Sequence, residues 1–280
     1  MISKLLEFLD EDVGNGDITT KGVIPQDVEV EAEMIAKENG ILAGLEESRA
    51  LLKHFNLNYH TSFKDGDEIK SGDIILSIRG DARKILVLER VMLNIMMRMS
   101  GIATATRRLV EKCKPYGVTV AGTRKTTPGF RHFEKKAIRI GGGYPHRFGL
   151  DDGILIKDNH IATTGLIESI ERMKEAGFTK KIEVEVSSPK DAMKACGAGA
   201  DIIMLDNMEP KEIGAVISEL EEGGKRGDVK IELSGNITPE NIEEFARTKP
   251  DIISMGYLTT KASWLDMGMS VRRDGDEEGG

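Results

Sequence analysis

From residue 118 onward the chain alternates apolar, strand-like runs with helix-like runs, and this alternation constrains the fold more than any other feature. Candidate strands fall at residues 118–121, 153–156, 181–186, 201–205, 229–233 and 251–255. The last four begin about 20 to 28 residues apart, the length of one βα unit. No repeated sequence accompanies the spacing. A run of such units makes a parallel sheet, open or closed into a barrel.

Polar residues gather where these strands end. Lys157, Asp158, Asn159 and His160 follow one strand, and Glu185 ends the next. Asp206 and Asn207 follow the third, Ser234, Gly235 and Asn236 the fourth, and Gly256 the last. In a βα barrel all strand ends open on one face, so one face is expected to collect the chemistry.

The first third has a different period. Leu5, Leu6 and Leu9 give a short helix that stops in the polar run beginning at Glu11. Val28, Val30, Ala32 and Met34 then alternate with Glu29, Glu31 and Glu33, the pattern of a half-buried antiparallel strand. A helix at 46–54 and short strands around the turns Gly66-Asp67 and Gly72-Asp73 complete a small α+β domain. Residues 82–114 carry a long apolar stripe of Leu88, Met92, Ile95, Met96 and Met99, with a break expected at Ser100-Gly101. The methionines are read as core filling and not as an adaptable binding face. Arg90 and Asn94 lie off the stripe.

Charge marks one region. The whole chain carries −8, whereas residues 123–160 hold eight Lys and Arg against four acids, a local balance of 8 − 4 = +4. These cations are interleaved with Thr126-Thr127-Pro128-Gly129 and Gly141-Gly142-Gly143, which is loop chemistry. Loops of this kind suit an anion pocket better than a solvated helix face does. The acidic total argues against nucleic acid as a partner. Cys113 and Cys196 have no metal-type spacing and read as free thiols of a reducing compartment. No run approaches the ~18 apolar residues of a membrane span, and the first residues lack signal-peptide features. A cytoplasmic location without membrane attachment is therefore expected, and the charged, glycine-rich residues 274–280 are expected to be a disordered tail.

Glycine-bearing loops after the final barrel strands hold phosphate through backbone N–H groups, and Ser234, Gly235, Asn236 and Gly256 occupy those places. Glu183 and Glu185 share one strand face. Glu185 and Asp206 could pair with Lys157 or Arg147, or could hold ribose hydroxyls and Mg²⁺, which prefers a few carboxylates plus substrate phosphates. No His/Cys cluster suits zinc.

The strings TRKTTPG, GGGYPHRFGL and LIKDNHI, followed by IEVEV, IMLDNM, LSGNIT and ISMGYLT, resemble quinolinate phosphoribosyltransferase, the decarboxylating enzyme of NAD biosynthesis. The resemblance runs in order from Gly14 to beyond Gly256. It implies an α/β protein with an N-terminal α+β sandwich domain at 1–114 and an open, TIM-like βα barrel of about six or seven strands at 115–262. A C-terminal segment, 263–280, would return to the first domain. It also implies transfer of phosphoribosyl from phosphoribosyl pyrophosphate to quinolinate with loss of CO₂. The donor's 5′-phosphate would lie on Ser234, Gly235, Asn236 and Gly256, its ribose and Mg²⁺ against Glu185 and Asp206, and its pyrophosphate near Lys125 and Lys157. Arg124, His146, Arg147, Lys157 and a partner subunit's arginine matching Arg90 would hold the two carboxylates of quinolinate, which suit forked guanidinium groups. An arginine acting in trans implies a homo-oligomer, at least a dimer. The chain departs from the family pattern at Asn236, where a second glycine is expected. Nicotinate phosphoribosyltransferase, a Schiff-base aldolase using Lys157 and a non-catalytic sensor of a phosphorylated metabolite are the competing readings.

Overall fold

The acidic–apolar alternation near the start folds as the strand Glu29–Ala36, with Val30, Ala32, Met34 and Ala36 buried. The computed structural model describes residues 1–177 and 179–273, so the tail expectation for 274–280 falls outside the described residues. The chain divides into two compact units, Met1–Ala105 together with the segment from Ala262 onward, and Thr106–Lys261.

In the first unit Glu29–Ala36 sits inside a four-stranded antiparallel sheet, between Met267–Arg273 and Ile74–Asp81, with Asn58–His60 at one edge. Met34 is the register partner of both Met269 and Leu76, so the far end of the chain completes the sheet that its beginning starts. The expected break at Ser100-Gly101 is not there: Ala82–Cys113 is one helix of 32 residues. Glycine serves a different need at this point. A Cβ on Gly101 would stand 1.9 Å from the Ser263 carbonyl oxygen, so the residue is small because another segment passes against the helix. Ser100 is likewise used sideways, its hydroxyl accepting from the Ala43 N–H at 2.9 Å and donating to the Ala43 carbonyl at 3.1 Å. Packing overrides the local breaker signal. The stripe of Leu88, Met92, Ile95, Met96 and Met99 is buried throughout, as core filling requires.

In the second unit the six candidate strands form β1 (Thr119–Ala121), β2 (Ile154–Ile156), β3 (Ile182–Val186), β4 (Ile202–Asp206), β5 (Lys230–Ser234) and β6 (Ile252–Ser254). All pairings are parallel, in the order β1-β6-β5-β4-β3-β2. The two edges are consecutive in the chain, which is the open form of a βα barrel. Val184, Ile203, Ile231 and Ile253 are fully buried, so the strands' apolar character is consumed by the core. Register decides what meets at the strand ends: Ser234 lies beside Asp206, and Met204 lies between Glu185 and Glu232. Among the described residues no helix is long and apolar enough to cross a membrane.

Candidate active site

The carboxyl ends of the parallel strands open into a cleft of about 1030 Å³, lined wholly by residues of the second unit. Three groups of side chains face it. Cations come from the β1 loop, as Arg124 and Lys125, and from the segment after Tyr144, as His146 and Arg147, with Lys157 following β2. Carboxylates come from strand ends, as Glu185, Asp206 and Glu232. The loop of Ser234, Gly235 and Asn236 closes the third side.

Each wall has a local cause. Tyr144 pairs with β1, its N–H donating to the Val120 carbonyl at 2.8 Å and its carbonyl accepting from Gly122 at 2.8 Å, which delivers His146 and Arg147 to the cleft. Arg147 donates to the Gly153 carbonyl at 3.0 Å, and burial followed by the charge of Arg124 lowers its proton affinity. Arg124 Nε is buried with no hydrogen-bond partner among the described residues. The Lys125 carbonyl accepts from the Thr259 hydroxyl at 2.5 Å, which ties the β1 loop to the short helix after β6.

Lys157 donates to the Glu185 carboxylate, so part of the ion-pair alternative raised by the sequence is realised. Asp206 accepts from the Asn207 amide at 2.6 Å. Burial first, and the charge of Glu185 second, hold the Asp206 carboxyl above the ordinary carboxylate range, against Lys157 and Lys125.

The glycine loop has a steric logic. Gly235 is left-handed at φ 84°, and a Cβ there would lie 2.2 Å from the Asn207 side-chain oxygen. Asn236, in the position where a second glycine is expected, is also left-handed at φ 53°. Asparagine is among the few side chains that tolerate this region, so the departure preserves the backbone shape that a glycine would give. Its carbonyl accepts from the Asn241 amide at 3.1 Å.

Beneath the cleft lies a cluster that the sequence only half disclosed. His146 Nε2 is 3.4 Å from Glu232 and 3.6 Å from Glu183, with the three side chains 12%, 1% and 7% exposed. Burial pulls the imidazole down, but Glu183 and then Glu232 outweigh it and push it up to about 9. Its Nδ1 meanwhile accepts from the Arg147 N–H at 2.9 Å, a contact that a protonated ring must give up. That contact is worth about 1 kcal/mol, less than the several kcal/mol of two buried carboxylates lacking a countercharge. The imidazolium is therefore the form we take at neutral pH. Burial also raises Glu183, with His146 acting against it. One ligand atom from each residue falls within 4.8 Å of the others, a spacing a cation could also use.

Of the residues singled out from sequence, the cleft gathers Arg124, Lys125, His146, Arg147, Lys157, Glu185, Asp206, Ser234, Gly235 and Asn236. Gly256 caps the short helix after β6, two residues beyond the lining residue Ser254. Arg90 belongs to the first unit, where it is exposed on the long helix 3.9 Å from Glu89. Glu232 was missed because it lies within an apolar run. The i, i+2 rule that paired Glu183 with Glu185 also pairs Glu232 with Ser234 and would have found it. Cys113 and Cys196 are free, and burial pushes the Cys113 thiol up to about 11, as expected of a packed cysteine.

Fold and cleft together define the class, a βα-barrel enzyme with a pocket for anionic small molecules. Models of the N-terminal and C-terminal domains of quinolinate phosphoribosyl transferase match residues 17–100 and 102–270, and the chain belongs to that family. It is 46% identical over 276 residues to a probable nicotinate-nucleotide pyrophosphorylase [carboxylating] of Methanothermobacter thermautotrophicus, covering 97% of this chain and 99% of the relative. The corresponding Archaeoglobus fulgidus protein is 48% identical over 258 residues, covering 91% of this chain and 98% of the relative. The crystal structure of NadC from Streptococcus pyogenes is similar with a TM-score of 0.90 at 40% identity, over 97% of this chain and 96% of that one.

Proposed function

We propose that this enzyme transfers the phosphoribosyl group of phosphoribosyl pyrophosphate to quinolinate and releases CO₂, giving nicotinate mononucleotide and pyrophosphate. The observation that carries the reading is one cleft with unpaired guanidinium chemistry on one wall, two strand-end carboxylates on another and a glycine loop on the third. A dicarboxylate, a ribose and a phosphate need those three surfaces. Arg124, His146 and Arg147 hold quinolinate, with Lys157 between both ligands. Ser234, Gly235, Asn236 and Gly256 hold the 5′-phosphate.

Loss of pyrophosphate breaks the C1′–O bond, with both electrons leaving on oxygen, and positive charge grows on the ribose ring. Glu185 and Asp206 stabilise that charge, while Lys125 and Lys157 offset the charge of the leaving group. The pyridine nitrogen forms the new bond to C1′, and no protein nucleophile is required. The bond from C2 to its carboxylate then breaks and CO₂ departs. The electron pair stays on C2 beside the cationic nitrogen until a proton from water replaces the lost carboxylate.

Oxygen donors at Glu185 and Asp206, both lining the cleft, also fit Mg²⁺, which takes a few carboxylates together with substrate phosphates. When bound, Mg²⁺ supplies neutralising charge to pyrophosphate oxygens. The same reading makes the enzyme a cytoplasmic homo-oligomer, at least a dimer, in which Arg90 completes a partner's acceptor pocket.

The test is an assay with phosphoribosyl pyrophosphate, Mg²⁺ and either quinolinate or nicotinate, following mononucleotide and CO₂. Product from quinolinate alone, with one CO₂ per nucleotide, is expected. Product from nicotinate would overturn the acceptor assignment. The Schiff-base alternative is not favoured, because the relatives that match nearly the whole chain are named nicotinate-nucleotide pyrophosphorylases. Shared sites predict that mixing inactive Arg90→Ala and Lys157→Ala proteins, with subunit exchange, restores part of the activity. Exchange without rescue would remove Arg90 from the pocket.

A further inference from the structure

Two buried charges near the cleft have no place in the chemistry above. Glu134 is fully buried and Lys135 is 4% exposed, side by side in the helix Arg131–Ile140. Burying ionised groups is costly unless each is used, so their partners are informative. The Glu134 carboxylate accepts from the Thr127 N–H and the Thr127 hydroxyl, both at 3.0 Å. Thr127 belongs to the loop that presents Arg124 and Lys125. The Lys135 ammonium turns to the other wall, donating to the carbonyl of Pro145 and, at 3.4 Å, to that of His146. One turn earlier Arg131 reaches both loops, donating to the Thr126 hydroxyl at 2.9 Å and to the Phe148 carbonyl at 3.1 Å.

Three polar side chains at the start of one helix thus fasten the two loops that carry the cationic wall. We propose that Arg131, Glu134 and Lys135 are positioning residues that fix the separation of Arg124 from His146 and Arg147, and so set affinity for the dicarboxylate acceptor and not for the phosphoribosyl donor. The donor's ribose and phosphate surfaces, at the ends of β3, β4 and β5, are anchored by sheet register, and Lys125, the donor contact carried on a clamped loop, has a second tether in the Thr259 hydroxyl that donates to its carbonyl. Lys135 also adds charge. Burial first, then Arg131, Arg124 and Arg147, pull its amine down to about 8 against Asp152, which places a weakly held positive charge against the wall. Its backbone partners are carbonyl oxygens of the loop itself, so the side chain acts on loop position directly.

The inference rests on the acceptor pocket assigned above, and the experiment separates the two. In full-length enzyme Lys135→Met is expected to raise KM for quinolinate about tenfold or more, because small misplacements of binding groups are expensive. KM for phosphoribosyl pyrophosphate should stay within about twofold and Tm should hold, since methionine fills the same space without a desolvated charge. Thr127→Val, which removes only the hydroxyl contact to Glu134, should shift the quinolinate KM in the same direction by less, and remains informative if Lys135→Met fails to fold. Arg147→Lys is measured in parallel. If it leaves the quinolinate KM unmoved, the acceptor pocket is misassigned and the inference goes with it. If Arg147→Lys shifts KM while Lys135→Met and Thr127→Val do not, or shift both substrates equally, the clamp alone is refuted.

Discussion

Asp206→Asn is expected to lower kcat by about 10²- to 10³-fold while the KM for quinolinate stays within about threefold, the size of loss that follows removal of one preorganised charge partner from a transition state. Asparagine keeps the shape of the side chain and can still accept from Asn207, as Asp206 does at 2.6 Å. The charge is removed, and with it the carboxylate's hold on Mg²⁺. That charge is held at a cost, because burial and Glu185 both oppose ionisation of Asp206. A half-buried carboxylate kept above its ordinary range is most useful where positive charge is about to appear, which in this reaction is the ribose ring as pyrophosphate departs. Asp206 is a cleaner test than Glu185, because replacing Glu185 also strips Lys157 of its partner. Steady-state kinetics with both substrates varied would decide it, and an unchanged kcat would remove Asp206 from the reacting centre.

The features of this protein visible in its sequence are those set by short-range rules. β4 stands out as an apolar run and β3 and β5 as apolar residues alternating with Glu183, Glu185 and Glu232, and the polar residues directly after them could be assigned to one face without knowing any contact. Gly101 shows the limit. A glycine inside a helix signals either a break or a close approach, and the choice depends on the Ser263 carbonyl, far away in the sequence. Asn236 could be flagged as a departure, but only its backbone angle explains why the departure is tolerated. Within residues 123–160 the sequence revealed an excess of cations without sorting them. The structure separates Arg124 and Arg147, which face the cleft, from Arg131 and Lys135, whose donors go to loop oxygens. Helical periodicity held part of that answer, since Glu134 shares its face with the buried Ile138 four residues on.

The cluster beneath the cleft leads to the largest expected loss of stability. His146→Ala should cost about 3–5 kcal/mol near pH 7, the range for removing one partner of a buried charge cluster, because Glu232 loses the cation beside it and Glu183 keeps that of Arg147. Neither Glu232 oxygen has a well-aligned hydrogen bond among the described residues, so no hydrogen bond to Glu232 replaces the imidazole. The dependence on pH identifies the cause. His146 is raised in the folded protein to about 9, above its ordinary 6.5. The unfolded chain therefore binds its proton more weakly, and the stabilisation is fully present below about pH 6.5 and is lost as pH rises through about 9. The deficit of His146→Ala against the parent should accordingly shrink between those values. It should shrink in acid too, because burial already holds Glu183 above the usual carboxylate range and it takes up a proton early. Urea unfolding of parent and variant across pH 5 to 10 should give a difference that is greatest near neutrality. A difference that did not vary with pH would mean that His146 contributes by packing, and that the two glutamates are neutralised in some other way.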